Sequence, residues 1–284
     1  MPQKSPFKPS VAISLLRFTA KFISSILLIR GDNRWGNEFA QSLDMRIKVK
    51  NPISPGKRIT FKTGHGRLYW RSKYTPNLDS ETNEWISTFQ KEDIFFDIGS
   101  NIGVYALMAA QAKGMKVFSF EMDPLNNSIQ HYNIFENKLE GLITHMPMPL
   151  SDKNSLRKVY FKSISPGDAL HSIDECSSYL ADKNKINIPT TEIATFSLDF
   201  LIKELGVPCP SHIKIEVDGV DLKILQGISN SLKNTKSIMV GTDLSKIDAI
   251  ESYLKTHGFV LYKRFLPNES NKDNANSLFT RQQP

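Results

Sequence analysis

The stretch Ile94-Phe95-Phe96-Asp97-Ile98-Gly99-Ser100-Asn101-Ile102-Gly103, with Glu121 closing the next apolar run, decides the fold. Ile94 to Phe96 suit a buried parallel strand, while Gly99 and Gly103 permit a sharp turn and a close backbone approach to a ligand. Ile102, Ala106, Leu107, Ala109 and Ala110 give the following helix an apolar face, and Lys116 to Phe120 resume as a strand. The result is a βαβ unit. A nucleotide-like ligand is expected at its crossover.

The glycine spacing separates two cofactor classes. A dinucleotide fingerprint, Gly-x-Gly-x-x-Gly, lets backbone amides at a helix N-terminus hold a pyrophosphate. This chain instead has Asp97-x-Gly99-x-x-x-Gly103, with an acid at the strand end. That carboxylate repels a pyrophosphate and attracts an ammonium. S-adenosylmethionine carries an ammonium and a sulfonium with no phosphate, and Glu121 is placed to accept both ribose hydroxyls. A nicotinamide oxidoreductase would share Glu121 but should show the missing second glycine.

Outside this unit the alternation continues. Strands are expected over residues 94–97, 116–120, 143–146, 213–217, 237–240 and 259–263, and helices over 102–113, 124–137, 198–205, 222–232 and 247–257. This predicts an α/β fold, a Rossmann-like, mostly parallel sheet with helices on both faces. Asp123-Pro124 supplies a helix N-cap followed by proline at the first helical position. Leu156 to Phe161 and Ile186 to Thr191 read as strands flanking a long polar stretch, 162–185, of the length that is usually functional or disordered. Asn276 to Arg281 reads as a closing edge strand. Upstream, Arg46 to Val49 and Arg67 to Trp70 read as short strands and Glu84 to Gln90 as a short helix. Residues 1–90 are thus expected to form a basic helix and small cap, and 91–284 the catalytic domain.

The net charge of +7 is unevenly spread over the 284 residues. Residues 1–90 hold 15 Lys and Arg against 6 Asp and Glu, leaving 21 against 23 in the remainder. Charge alone gives a nonspecific footprint, and no recognisable nucleic-acid module accompanies it. Cys176 and Cys209 are isolated, without the spacing of a zinc site or disulfide framework, which favours a reducing, cytoplasmic compartment. Residues 11–30 read as a basic amphipathic helix. Their longest uncharged run, Phe22 to Ile29, falls far below the roughly 20 residues a spanning helix needs. The apolar face must therefore dock on the chain's own core, on a second subunit of a homo-oligomer, or peripherally on a membrane.

A second segment, Ile213-Lys214-Ile215-Glu216-Val217-Asp218-Gly219-Val220-Asp221-Leu222, delivers charges at the carboxyl end of an apolar strand. Ligands of open α/β sheets bind outside those ends, so Asp97, Glu121, Glu216 and Asp218 are expected to share one crevice. Clustered carboxylates call for a cation, either the sulfonium cofactor or a divalent metal. Methyl transfer is an in-line displacement that also needs a base for the acceptor's proton. Glu216 and Asp218 are the first candidates, with Asp243, His145 and His171 behind them. Lys214 either holds an acceptor anion or pairs with a carboxylate.

These blocks resemble the FkbM-type family of class I S-adenosylmethionine-dependent methyltransferases, over roughly Ile94 to Lys263. Phe96 to Gly103 is similar to the family's cofactor turn, Ser119-Phe120-Glu121-Met122-Asp123-Pro124 to its ribose-binding block, and Pro149-Leu150-Ser151-Asp152 to the block after the third strand. Thr195-Phe196-Ser197-Leu198-Asp199, Ile213 to Gly227, Gly258-Phe259 and Asn276 to Phe279 resemble later blocks. The resemblance implies cofactor contacts by Asp97, Gly99, Asn101, Gly103, Glu121, Met122, Ser151 and Asp152, and catalysis by Glu216, Asp218 and Lys214. It also implies O-methylation of hydroxyls on small-molecule or glycan acceptors. The chain departs from the family twice. The two acids of the usual Lys-Ile-Asp-Val-Glu-Gly run are exchanged, and Gly241 stands where the family tends to carry glutamate. A catalytically silent scaffold of the same fold is the rival that would explain those departures.

Overall fold

A computed structural model of the chain describes residues 18, 19, 22, 25, 44–174, 188–266 and 274–282. It divides into two compact units, Met1–Met45 and Arg46–Pro284. In the first, Phe18, Thr19, Phe22 and Ser25 are helical and exposed, while the rest of the expected 11–30 helix lies outside the described residues. No helix among the described residues is long and apolar enough to cross a membrane.

The second unit begins with an antiparallel hairpin, β1 (Arg46–Lys50) and β2 (Arg58–Lys62), followed by helices α1 (Gly66–Leu78) and α2 (Ser80–Ser87). Residues 46–90, expected from the sequence to be a small cap on the core, belong to the second unit. Arg67 to Trp70, expected as a strand, lies in α1. His65 caps that helix, its Nδ1 accepting from Arg67 N at 3.3 Å, and Leu68, Ser72 and Pro76 recur every fourth residue as a buried stripe.

The central alternation follows: β3 (Ile94–Ile98), α3 (Val104–Lys113), β4 (Lys116–Phe120), α4 (Pro124–Glu136) and β5 (Ile143–Met146). A small antiparallel sheet interrupts it, formed by β6 (Ser155–Tyr160), β7 (Ser172–Ile173) and β8 (Thr190–Thr195) in the order β7-β6-β8. The strand expected over 186–191 is β8, which starts later, and residues 175–187 lie outside the described residues. The chain then runs through α5 (Leu198–Leu205), β9 (His212–Glu216), α6 (Asp221–Gln226), β10 (Ser237–Asp243), α7 (Ile247–Thr256), β11 (Phe259–Phe265) and β12 (Asn274–Arg281). The expected helix over 222–232 stops at Gln226, where Gly227 packs directly on the Ser151 carbonyl.

Among the described residues, seven strands form the main sheet in the order β11-β12-β10-β9-β3-β4-β5. Successive side chains of a strand face opposite ways. Phe95 accordingly joins one core with α2, α3 and α4, while Phe96 and Ile98 join the other with α5, α6 and α7. Burial on both faces is what made these strands read as apolar runs. β12 pairs antiparallel with both β10 and β11. It is therefore an interior strand and not the edge expected from the sequence, and its Ala275, Ser277, Leu278 and Phe279 are all buried.

Candidate active site

The carboxyl ends of β3, β4 and β9 open onto a cavity of about 610 Å³, mouth included. Its lining comes from the β3 turn, from Glu121 and Met122, from Met148 to Leu150, from Asp168 to His171, and from Glu216 to Asp218. Ligands of open α/β sheets bind in the crevice outside these strand ends.

Glu121 organises the turn. Its Oε2 accepts from Asn101 N at 2.7 Å and its Oε1 from Asp123 N at 2.8 Å. Burial pushes its carboxyl upward, against the pull of those two bonds. Asn101 has φ of 51°, a left-handed conformation that asparagine tolerates better than most residues. Its Nδ2 donates to the Asp168 carbonyl at 2.7 Å, whereas its Oδ1 is buried without a partner.

The two turn glycines serve the protein's own packing. A Cβ on Gly99 would stand 2.1 Å from the Glu216 carbonyl oxygen, and one on Gly103 would stand 2.9 Å from Gln130 Cγ. Both also have positive φ, 78° and 84°. Gly99 lines the cavity; Gly103 does not.

Asp97 lies beneath the cavity, fully buried and outside its lining. Its Oδ2 accepts from Ala106 N at 3.0 Å, tying β3 to the first turn of α3, and its Oδ1 has no partner. Burial raises its pKa to about 6, opposed by Lys214 and reinforced by Glu216. Lys214 is 3% exposed, sits 4.7 Å from the centre of the Tyr105 ring, and donates to Glu216. Tyr105 in turn bonds Asp79, whose pKa rises to about 6 through burial and the proximity of Glu216. Lys214 is thus held inside a carboxylate network and does not line the cavity.

Asp218 differs from Glu216. It lines the cavity, and burial lifts its pKa to about 6 despite a hydrogen bond from the Leu170 backbone and the nearby His171. Glu216 also lines the cavity, but Lys214 pulls its pKa down. A carboxylate with a pKa near the operating pH is the better proton acceptor.

Several candidates from the sequence lie elsewhere. Ser151 and Asp152 are outside the cavity lining: Ser151 Oγ donates to Asp152 Oδ1 at 2.9 Å, and Asp152 meets Arg157 at 3.0 Å. His145 sits between Ser119 and Asn127, with burial and His131 lowering its pKa to about 4. Asp243 caps the turn at Leu244–Lys246, accepting from Ser245 N at 2.8 Å. His171 lines the cavity, but its Nδ1 accepts from Lys162 N at 3.2 Å, so the proton belongs on Nε2, which donates to Asp123 at 3.0 Å. Both nitrogens are committed. Among the described residues no group of three His, Cys, Asp or Glu is arranged to hold a metal.

Sequence reasoning flagged the long polar stretch 162–185 but did not foresee that Asp168 to His171 form a strap lining the cavity. The Asp168 carbonyl accepts from Asn126 Nδ2 at 3.1 Å as well as from Asn101, and Gly167 N donates to Asn126 Oδ1 at 2.7 Å. Arg71 Nε donates to Gly167 O at 3.0 Å, and Arg67 meets the Asp168 carboxylate at 3.0 Å. The Ser165-Pro166-Gly167-Asp168 turn and the polar Asn126 at the start of a helix were the available signals.

Residues 97–261 match the Methyltransferase FkbM domain family. The chain belongs to that family. Over 152 residues it is 26% identical to the hexuronic acid methyltransferase AglP of Haloferax volcanii, covering 53% of this chain and 56% of that protein. A tRNA (guanine(37)-N(1))-methyltransferase of Dictyostelium discoideum is 32% identical over 83 residues, 29% of this chain and 17% of that protein. The chain therefore spans little more than half of the first relative and under a fifth of the second. Among solved structures, a methyltransferase FkbM from Methylobacillus flagellatus KT is similar at 14% identity with a TM-score of 0.48, covering 75% of this chain and 52% of that one.

Proposed function

We propose that the cavity binds S-adenosylmethionine and that the protein is a methyltransferase acting on a hydroxyl of a sugar, glycan or secondary metabolite. The observation carrying this reading is Glu121. A carboxylate offers about four acceptor positions, two of which serve backbone N–H groups here, so two remain for a ligand's vicinal hydroxyls. The unpartnered Asn101 Oδ1 is a further acceptor awaiting a donor, and a cationic ligand suits the surplus of carboxylates around Asp97. When bound, the cofactor supplies an electrophilic methyl group.

The chain's own residues would do the rest. Glu121 and Asn101 hold and orient the nucleoside, and the strap from Asp168 to His171 limits water. Asp218 takes the acceptor hydroxyl's proton as the oxygen attacks. The Lys214–Glu216 pair fixes the end of β9 beside it. AglP, the relative sharing the longer segment, is by name a hexuronic acid enzyme, which supports a sugar acceptor.

Calorimetry tests the first step: S-adenosylmethionine or its demethylated product should bind, and NAD should not. Binding of NAD alone would overturn the reading. A one-methyl mass increase on a panel of uronic acids, neutral glycans and hydroxylated metabolites would then identify the acceptor.

A further inference from the structure

The outer face of the β1–β2 hairpin is built almost wholly of cations. The register pairs Arg46 with Lys62, Lys48 with Thr60 and Lys50 with Arg58. Alternation turns Val49, Ile59 and Phe61 into the core, so Arg46, Lys48, Lys50, Arg58, Thr60 and Lys62 share the opposite face. Five of those six side chains are positive. Two of the three cross-strand pairs set like charges directly opposite each other, an arrangement that disfavours the hairpin by itself.

Part of this charge is answered within the chain. Arg46 meets Glu136 at 3.3 Å, and Lys62 Nζ lies 4.1 Å from the centre of the Tyr132 ring. Lys48, Lys50 and Arg58 are exposed and have no carboxylate partner among the described residues. On α4, one turn beyond Tyr132, Phe135 is 61% exposed.

We propose that this hairpin face docks on anionic lipid headgroups. A duplex nucleic acid would match the charge equally well, but its bases are already stacked on one another and leave exposed apolar rings without a partner. The preceding segment carries them: Phe18 and Phe22, one helical turn apart in a basic amphipathic sequence, are 69% and 58% exposed. Stable attachment to a membrane takes two weak signals together, such as apolar insertion and a polybasic patch. This chain holds both.

The test is sedimentation of the full chain with phosphatidylcholine vesicles, with and without phosphatidylserine, beside the variant Lys48→Gln/Lys50→Gln/Arg58→Gln. The wild type should bind only the phosphatidylserine vesicles, and the triple variant should bind them on the order of 100-fold more weakly. Its cofactor affinity should match the wild type, because none of the three residues touches the cavity, and its thermal midpoint should be no lower, because the exchange relieves the like-charged Lys50–Arg58 pair. Three results would each overturn the proposal: wild-type protein that ignores phosphatidylserine, a variant that binds as tightly as the wild type, or a preference for duplex RNA over vesicles.

Discussion

Glu216 turns its carboxylate onto Lys214, two residues back on the same face of β9. Burial works against a charge on Lys214, yet Glu216 and then Asp97 hold its pKa up. The pairing links both departures from the family pattern. Gly241 faces Glu216 across the strands, and a Cβ there would lie 3.5 Å from Glu216 Cγ and 2.7 Å from Asn276 Oδ1. A side chain at 241 would therefore have to displace the Asn276 amide and would stand in contact with Glu216.

It follows that the two exchanged acids should behave differently. Asp218→Asn is expected to lower kcat by about 10²–10⁴, the usual worth of a general base, with cofactor affinity little changed. The pH–rate profile of the wild type should fall below about pH 6, where Asp218 takes up a proton, and that limb should vanish in the variant. Glu216→Gln should instead cost about 1–3 kcal/mol of stability, moderated because Glu216 is half exposed and Asp97 still faces Lys214. Equal kinetic damage from both variants, with no change in melting, would reject this division.

Glu121→Ala removes the acceptor for two backbone N–H groups and for the proposed ribose contacts. Cofactor affinity should fall by about 1.5–3 kcal/mol, roughly 10- to 150-fold in Kd. Calorimetry on the variant with the demethylated cofactor checks this. An unchanged Kd would put the nucleoside elsewhere.

Glycine substitutions separate close packing from backbone strain. Gly206 has φ of 69° with open space where a Cβ would go, so Gly206→Ala should cost about 1–2 kcal/mol. Gly227 has an ordinary φ of −72°, but its Cβ would stand 2.1 Å from the Ser151 carbonyl oxygen. Gly227→Ala should therefore cost about 3 kcal/mol or more, because one backbone must move away from the other. The order of the two melting midpoints decides the matter.

Asp221 is 2% exposed; its Oδ2 accepts from Thr242 at 3.1 Å and its Oδ1 has no partner. Burial lifts its pKa to about 7. The folded state thus binds a proton that the unfolded chain, with a pKa of about 3.9, releases earlier, so stability from this group is full below about pH 4 and lost as pH rises to 7. Asp221→Asn does not titrate. Its melting midpoint should match the wild type near pH 4 and exceed it by about 5–10 °C near pH 8. A difference that stays flat across that range would show the carboxyl to be solvated.

The central strands were legible because burial on both faces leaves them few polar positions, Asp97, Ser119 and Lys214 among them, and the Gly99–Gly103 turn because positive φ restricts its residue choice. Legibility failed where long-range packing decides. Arg67 to Trp70 offered no period that distinguished a strand from the start of α1, whose stripe of Leu68, Ser72 and Pro76 includes a hydroxyl and a proline. Ser151 and Asp152 were expected at the cofactor from their resemblance to a family block; they lie outside the cavity lining, where Asp152 pairs with Arg157. The strap joins Asp168 to Asn101 and Asn126 through bonds to its carbonyl oxygen, and nothing in the identity of residue 168 announces a backbone acceptor.

The position of β12 has a consequence for biosynthesis. The chain leaves the ribosome from its N-terminus, at roughly 5–20 residues per second, and domains tend to fold as units. Here β10 and β11 touch through β12 alone, so both wait with open edges until residues 274–281 have emerged. A nascent chain stalled before Asn274 would expose the apolar edge of β10, Ile238 to Val240, to any neighbouring strand. Holding chaperones should bind such stalled chains and release them once the last strand is threaded between its two partners.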